Sequence, residues 1–139
     1  MKQFAKTQTN FFIVTDEEKF KKIITDCCAD ADIEIVTSNR DNVLKYGFEC
    51  DGTIDGFCDE KGRSDESLKL FYEALQTVLP DDDAVIIMEI GIDDRGGIYG
   101  HSIVITKGQT IGIASLRQAS VKRAQEILGL PDYNTQILR

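Results

Sequence analysis

The sequence has no tryptophan, one histidine and two prolines among its 139 residues. Its four cysteines form no C-x-x-C pair, so side chains able to bind zinc are scarce. The sequence also lacks a P-loop, a G-x-G-x-x-G loop and a G-x-S-x-G nucleophile elbow. These absences argue against the common phosphate-binding and hydrolytic enzymes. We therefore expect a non-enzymatic protein with neither a metal ion nor a cofactor.

Long apolar runs are also missing. The longest, FFIV at 11–14 and AVIIM at 84–88, are far shorter than the ~20 residues that a membrane-spanning helix needs. The N-terminal stretch MKQFAKTQTN contains no apolar signal segment. We therefore expect a cytoplasmic protein that does not bind membranes. A hydrophobic content of 42% over this length suits one globular domain spanning 1–139.

Basic residues are in the minority, and the net charge is −8. From Asp16 to Asp94 there are 22 acidic and 8 basic residues, a net charge of −14, whereas residues 95–139 carry +4. A field of this sign repels nucleic acid and attracts basic proteins, but the same carboxylates also serve simply to keep a surface solvated. The candidate partner-binding residues are Asp16, Glu17, Asp41, Asp51, Asp55, Asp59, Glu60, Asp81, Asp82 and Asp83.

Apolar periodicity in the first half predicts a buried strand at NFFIVT, residues 10–15, followed by a helix that begins with a Thr15–Glu18 capping box. Two further strands, IEIVTS and VLKYGFEC, flank the turn NRDN, and TIDGF adds a short strand or a bulged extension. The first helix is expected to pack through one apolar stripe formed by Phe20, Ile23, Ile24, Cys27 and Cys28.

The second half begins with a helix that Ser64 caps and Pro80 ends. A strand from Ala84 to Ile92, a return strand IYGHSIVIT and a third strand TIGIAS then form a meander, and a last helix stops at GLP. The predicted order is βαββ(β)αβββα. This order indicates a two-layer α+β domain, with a mainly antiparallel sheet, helices on one face and a partly ferredoxin-like first half.

The meander has a predicted register in which Ile92 lies opposite Ile98. One face then contains Ile86, Met88, Ile90, Ile111 and Ile113, and we expect it to pack under the helices. The opposite face contains Val85, Ile87, Glu89, Tyr99, His101, Ile103 and Ile105. Because this second face is too apolar for simple exposure, we expect a chain terminus, the final helix or another subunit to cover it, and the last of these predicts a homodimer through the meander.

Two aspartate clusters flank the first meander strand, DDD at 81–83 and DD at 93–94. They lie at opposite strand ends, roughly 30 Å apart at ~3.3 Å per residue, so they cannot form one site. Neither cluster has the alternating carboxylates of a calcium loop, and we interpret both as solvated strand ends.

The cysteines are expected to be reduced. Cys27 and Cys28 should pack as small hydrophobic side chains, because both fall on the apolar stripe of the first helix. Cys50 and Cys58 can approach each other across a loop, but a cytoplasmic protein would normally keep that pair reduced.

One polar group offers an alternative site. The predicted register sets the single histidine, His101, opposite Glu89, with Tyr99 on the same face. A carboxylate can orient an imidazole for acid–base chemistry, although no nucleophile motif accompanies the pair. Glu89 and His101 therefore form either a structural polar pair or the centre of a small ligand-binding or catalytic site.

The segments FFIVTDEEKF, LPDDDAVIIMEIG and SIVIT together resemble small acidic proteins of bacterial chromosomes and mobile elements that carry no assigned activity. The resemblance covers most of the chain and rests on pattern rather than on a diagnostic motif. It implies a bacterial or phage-linked accessory protein and supplies no catalytic residues. Acidic proteins of this group sometimes mimic DNA against defence enzymes, so the resemblance implies an inhibitor that binds a basic protein partner and not nucleic acid itself.

Overall fold

A computed structural model describes residues 4–58, 65–113 and 115–135. Ser64, the predicted cap of the second helix, lies outside these ranges. The described elements confirm the α+β class and the predicted order, with one additional short strand after the first helix. In chain order they are β1 Phe4–Thr9, α1 Glu17–Thr25, β2 Cys27–Ala29, β3 Glu34–Arg40, β4 Val43–Asp51, β5 Ile54–Phe57, α2 Asp65–Gln76, β6 Ala84–Ile92, β7 Ile98–Thr106, β8 Thr110–Ile113 and α3 Leu116–Leu128.

The main sheet has six strands in the order β3-β4-β1-β6-β7-β8, and each neighbouring pair is antiparallel. A second sheet contains only β2 and β5. The first strand of the chain therefore lies in the middle of the main sheet, between a hairpin that precedes α2 and a meander that follows it. The β3–β4 hairpin turns at Asp41 and Asn42, whose φ angles of 55° and 61° suit a tight two-residue turn.

The first strand lies upstream of the predicted NFFIVT segment. Burial alternates only modestly along this strand. Ala5 and Thr7 are buried and face the helices, while Lys6 between them is half-buried. Residues 10–15 form a connection instead, although Phe12 is fully buried and forms an isolated bridge with Tyr46. The apolar run reflected a buried loop rather than a strand, because core burial alone does not require strand pairing.

The Asn10 side chain continues the contact between this connection and β6. Its amide nitrogen donates to the carbonyl of Ala84 at 3.0 Å, and its oxygen accepts from the N–H of Ile86 at 2.7 Å. The side chain thus supplies the hydrogen bonds that a further strand residue would have made, and the backbone is free to leave the sheet.

The first helix begins later and ends earlier than predicted. Asp16 is the N-cap and accepts from the N–H of Lys19 at 3.1 Å, so the expected Thr15–Glu18 capping box does not form. Instead, the N–H of Thr15 donates to the carbonyl of Val78 at 2.8 Å. The helix ends before Cys27, which begins β2, so the apolar stripe of the helix is shorter than predicted.

The meander register is confirmed, but its two faces are reversed. Ile92 pairs with Ile98 and Glu89 with His101, as predicted. The face carrying Val85 and Ile105, both 0% exposed, packs against the helices, and we call it the inner face. The outer face carries the apolar residues predicted to be covered, Met88, Ile90, Ile92, Ile98, Ile111 and Ile113, all of which are exposed. Both faces are apolar, so hydrophobicity alone could not decide between them.

The core lies between the inner face and helices α1 and α2. Aromatic rings fill its centre, and Phe12 and Phe20 meet edge to face with ring centroids 5.6 Å apart. The ring centroid of Phe48 on β4 lies 6.3 Å from that of Phe20 on α1 and 6.1 Å from that of Phe71 on α2. Phe48 therefore connects the two helices to the sheet. The second apolar face, on which the predicted dimer was based, is therefore occupied by the molecule's own helices.

The last helix approaches the other side of the sheet. A Cβ placed on Gly100 would meet Ile90 and Leu116 at 3.4 Å, so the absence of a side chain at Gly100 lets α3 begin close to the outer face. Ser115 caps the helix in a capping box with Gln118, yet no residue of α3 is buried. Within the described residues, no helix combines the length and apolarity needed to cross a membrane.

Candidate functional site

Of the ten candidate carboxylates, the eight that the structure describes lie toward two ends of the sheet. Asp16 and Glu17 lie at the start of α1, where the bond from Thr15 to Val78 brings them beside the 80–83 loop. Asp41 occupies the hairpin turn at this same end, because β4 runs antiparallel to β1. Cations accompany these acids, since Lys21 contacts Glu17 at 2.8 Å and Lys107 contacts Asp81 at 3.4 Å.

Asp83 has a structural role that the sequence did not indicate. One carboxylate oxygen accepts from the N–H of Ile13 at 2.7 Å, and the other accepts from the N–H of Ala84 at 2.8 Å. The interpretation of DDD as three solvated strand-end residues is therefore wrong for Asp83, because this side chain joins the 10–15 connection to the start of β6. Asp81 and Asp82 remain exposed.

The more acidic end is where β1 begins. Three connections converge there. Asp30 accepts from the N–H of Thr53 at 2.9 Å, the N–H of Gly52 donates to the carbonyl of Ala5 at 2.7 Å, and Phe4 pairs with Ile92 beside the β6–β7 turn. Among the described residues, two cations accompany these carboxylates: Lys6, which lies 3.8 Å from Asp51, and Arg95. We call this surface the acidic end and define it by Asp30, Asp32, Asp51, Asp93 and Asp94.

Close packing holds the acidic end in shape. Gly52 has a φ of 91°, and any Cβ there would collide with the Asp30 side chain. Asp93 closes the β6–β7 turn by accepting from the N–H groups of Arg95 at 3.0 Å and Gly97 at 2.8 Å. These hydrogen bonds keep negative charges at defined positions on otherwise exposed turns.

Of the sequence-predicted residues, the acidic end contains Asp51. Asp55 is nearby on β5 but is only partly exposed, and Asp59 and Glu60 lie outside the described residues. Sequence reasoning missed Asp30 and Asp32, because only the contact between the 29–33 segment and Thr53 brings them to this end. Within the described part of the chain, no group of three or more His, Cys, Asp or Glu side chains is arranged to hold a metal ion.

The alternative site is a cavity of about 240 Å³ on the inner face, beside α2 and β5. The His101 Nε2 lies 3.5 Å from the Glu89 Oε2, and the two side chains are 44% and 16% exposed. This pairing confirms the predicted juxtaposition of the two residues. The cavity is lined by Thr7, Thr53, Ile54, Leu68, Phe71, Tyr72, Ile87, Glu89, His101 and Ile103.

A tyrosine from α2 completes the polar lining of this cavity. Burial, together with the negative charge of Glu89, raises the pKa of Tyr72 to about 12, so its hydroxyl stays protonated at neutral pH. Tyr99, the sequence-predicted third member, is on the same sheet face but does not line the cavity. Tyr72 was missed because its helical spacing indicated only a core position.

The lining of the cavity suits the binding of a small molecule better than it suits catalysis. It presents one carboxylate, one imidazole and one phenol hydroxyl on an apolar floor, which is typical of ligand pockets. Its lining hydroxyls include Thr7, but that Oγ1 donates to the carbonyl of Gly52 at 2.8 Å. The hydroxyl is therefore held by the fold and is not directed at the imidazole as a nucleophile would be.

The cysteine expectations are partly overturned. Cys28 forms a disulfide with Cys58, with their Cα atoms 5.1 Å apart, because β2 pairs with β5. Cys50 is a buried free thiol and does not pair with Cys58. Cys27 packs against the core as expected of a small hydrophobic side chain, and burial raises its pKa to about 12, which makes it a poor nucleophile.

Comparisons with protein-family models, with curated protein sequences and with solved structures find no match to the chain.

Proposed function

We propose that the protein is a non-enzymatic binding protein that engages a basic protein partner through its acidic end, in the manner of a DNA mimic. The observation that carries this proposal is the convergence of five carboxylates from three separate connections, accompanied by two cations among the residues that the structure describes. A protein groove that binds phosphates responds to the field of several charges held a few ångströms apart, and it does not require an exact motif.

The shape of the acidic end supports the same proposal. Hydrogen bonds from Thr53 and from the β6–β7 turn hold Asp30 and Asp93, so part of the charge pattern is ordered before a partner arrives. The resemblance to bacterial mobile-element proteins is consistent with an inhibitor acting in the cytoplasm, where the Cys28–Cys58 bond would be exposed to reduction. Direct binding to nucleic acid or to an anionic membrane is disfavoured, because both carry charge of the same sign.

The test of this proposal is competition with DNA. A partner would be captured from bacterial lysate on the immobilised protein and purified, and its binding to the protein would then be titrated with a DNA duplex. We expect the two to exclude each other, and binding to weaken with salt as the Debye length falls from about 10 Å at 0.1 M to about 3 Å at 1 M. A partner that binds both at once, or whose affinity ignores salt, would contradict the proposal.

A matched pair of variants locates the binding surface. Replacing Asp32 and Asp51 by Asn removes two charges from the acidic end, whereas replacing Asp81 and Asp82 by Asn removes two charges from the opposite end. Both changes affect exposed side chains and should preserve the fold. We expect association at low salt to slow several-fold for the first variant and much less for the second. Equal slowing would point to net charge alone.

The cavity beside His101 supports a second function, the binding of a small polar ligand. Its test is a thermal-shift screen of small amines, carboxylates and nucleosides, with Tyr72→Phe and His101→Ala as cavity variants. A ligand that stabilises the wild type but neither variant would favour this function over the acidic-partner proposal. Absence of any stabilising compound, with competition by DNA established, would favour the first.

A further inference from the structure

The disulfide between Cys28 and Cys58 connects the smaller sheet to the acidic end. Cys28 lies in β2 and Cys58 directly follows β5, so the bond crosslinks the two strands of that sheet. Asp30 and Asp32, which belong to the acidic end, come shortly after Cys28 in the chain. We call residues 26–33 the β2 segment. The positions of two carboxylates of the acidic end therefore depend on how firmly this segment is held.

The strand pairing that holds β2 is weak. The strand has three residues, its register with β5 shifts between Cys28 and Ala29, and it pairs with no other described strand. An isolated pair of strands is marginally stable at best. By contrast, α2 anchors β5, because Gly56 packs closely against Ser67, whose Oγ donates to the carbonyl of Asp55 at 3.2 Å. Breaking the disulfide should therefore free β2 and leave β5 in place.

The backbone hydrogen bonds that close the β2 segment lie at the surface. The N–H of Cys58 donates to the carbonyl of Asp26 at 2.9 Å, and the N–H of Asp30 donates to the carbonyl of Thr53 at 3.1 Å. Cys58, Asp26 and Asp30 are exposed, so water competes for these bonds once the crosslink is broken. The two N–H groups report directly on whether the segment is closed.

The disulfide is accessible to a thiol from another molecule. Cys58 is exposed, and both of its sulfur-bearing partners in the bond line an open cavity of about 630 Å³. The neighbouring thiol of Cys27 cannot compete for the bond, because burial raises its pKa to about 12 and only a thiolate attacks a disulfide. The thiol that opens the bond must therefore be external.

The charge of this cavity discriminates between external thiols. Its described lining residues include the carboxylates of Asp30 and Asp32 and no lysine or arginine. The nearby Asp26 is paired with Lys22 at 3.3 Å. A thiolate that carries a further negative charge is repelled by the two lining carboxylates, whereas a thiolate beside an ammonium group is attracted. The cavity therefore favours a cationic thiol.

We propose that the Cys28–Cys58 bond is a thiol–disulfide exchange site that prefers cationic thiols, and that its reduction releases the β2 segment from the acidic end. The external thiolate bonds to the exposed Sγ of Cys58 and forms a mixed disulfide, while Cys28 leaves as a thiolate and takes up a proton. A second external thiol then displaces Cys58. Two external thiols are thus oxidised to one disulfide, and both cysteines become thiols.

Release of the β2 segment should affect partner binding. Asp30 and Asp32 would no longer be held beside Asp51, so the charge pattern of the acidic end would lose its order before a partner arrives. This consequence rests on the proposed function, whereas the exchange site and the release of the segment do not. A reducing compartment would keep the segment released, and oxidation would assemble the acidic end.

Exchange kinetics test the site. Cysteamine and 3-mercaptopropionate would each reduce the oxidised chain at equal thiolate concentration, and each rate would be divided by the rate with a neutral small disulfide. We expect cysteamine to be faster by about threefold or more, and this ratio should fall with added salt. It should also fall in Asp32→Asn but not in the distant control Asp82→Asn. A wild-type ratio near one, or equal ratios in the two variants, would overturn the site.

Hydrogen exchange tests the release. On reduction, exchange at the N–H groups of Asp30 and Cys58 should become faster by about tenfold or more, because the segment opens locally. The N–H of Tyr46, which donates to the carbonyl of Phe12 at 2.8 Å in the core, should exchange as before. Equal protection of Asp30 in both forms, or loss of protection at Tyr46 as well, would overturn the release.

Binding of the captured partner separates this inference from the proposed function. The oxidised wild type should bind at least several-fold more tightly than the chain carrying Cys28→Ser and Cys58→Ser, in which the β2 segment should exchange as in the reduced chain. Faster exchange at Asp30 together with unchanged partner binding would support the release and count against the acidic end as the binding surface. Weaker binding without faster exchange would overturn the release.

Discussion

The carboxylate of Asp83 accepts a hydrogen bond from the N–H of Ile13, 70 positions earlier in the chain, at 2.7 Å. Its second oxygen accepts from the N–H of Ala84 at 2.8 Å, so one side chain fixes the 10–15 connection against the first residue of β6. Neighbouring Asp81 and Asp82 are exposed. Three consecutive aspartates therefore have different roles, which predicts different consequences for the same substitution.

Asp83→Ala should lower the free energy of unfolding by about 2 kcal/mol, because it removes a charged acceptor from two backbone N–H groups. Asp82→Ala should change it by less than about 0.5 kcal/mol, as expected of an exposed side chain. Urea unfolding of the two variants beside the wild type measures both values. Equal effects would show that the bond to Ile13 does not stabilise the fold.

The reversed faces of the meander lead to a prediction on a single strand. Ile105 is 0% exposed and Ile98 is 77% exposed, although both are on β7. Ile105→Ala should cost about 2–5 kcal/mol, since it leaves a cavity in the core. Ile98→Ala should cost far less, because most of that side chain is already exposed, and urea unfolding of both variants measures the difference. The opposite ranking would restore the face assignment predicted from the sequence.

The disulfide between Cys28 and Cys58 makes stability depend on redox conditions. It closes a loop over a sequence separation of 30, for which loop entropy gives about 3–4 kcal/mol of stabilisation. Because Cys58 is exposed, a thiol reductant should reach the bond and lower the melting temperature of the wild type. The chain carrying Cys28→Ser and Cys58→Ser should melt at the lower temperature in either condition. A wild-type melting temperature that ignores reductant would contradict the prediction.

Two partly buried groups predict a loss of stability at alkaline pH. Burial raises the pKa of the Cys27 thiol from 9.0 to about 12 and that of the Tyr72 hydroxyl from 10.0 to about 12. Because the fold disfavours their ionised forms, their contribution is complete below pH 9 and is lost as the pH rises toward 12. Tyr72→Phe should make the decline above pH 10 shallower, as measured by denaturant unfolding across this range. An unchanged slope would place Tyr72 in contact with solvent.

Local patterns were sufficient to predict much of the second half of the chain. The strands Ala84–Ile92 and Ile98–Thr106 begin and end as predicted, and their register follows from the turn at Asp93–Gly97. The end of α3 at Gly129, with a φ of 68°, likewise follows from the glycine signal. Turn residues and the alternation of side chains along a strand act over a few residues. Strand bounds and register can therefore be predicted from the sequence without knowledge of the fold.

The sites could be predicted only in part. The pairing of Glu89 with His101 follows from the register, but Tyr72 reaches their cavity from α2, and no local pattern reports that contact. The acidic end similarly contains Asp30 because its carboxylate bonds to Thr53, 23 positions away. A cluster formed by separate connections depends on the order of strands in the sheet, which periodicity does not encode.

The sequence by itself determined the α+β class, the acidic middle of the chain, the meander and its register. Only the tertiary structure decided which meander face is buried, which aspartates are exposed and which cysteines pair. Alternation distinguishes two faces of a strand but cannot choose between them when both are apolar. That choice depends on where α1 and α2 pack, which the middle position of β1 between β4 and β6 sets through contacts distant in sequence.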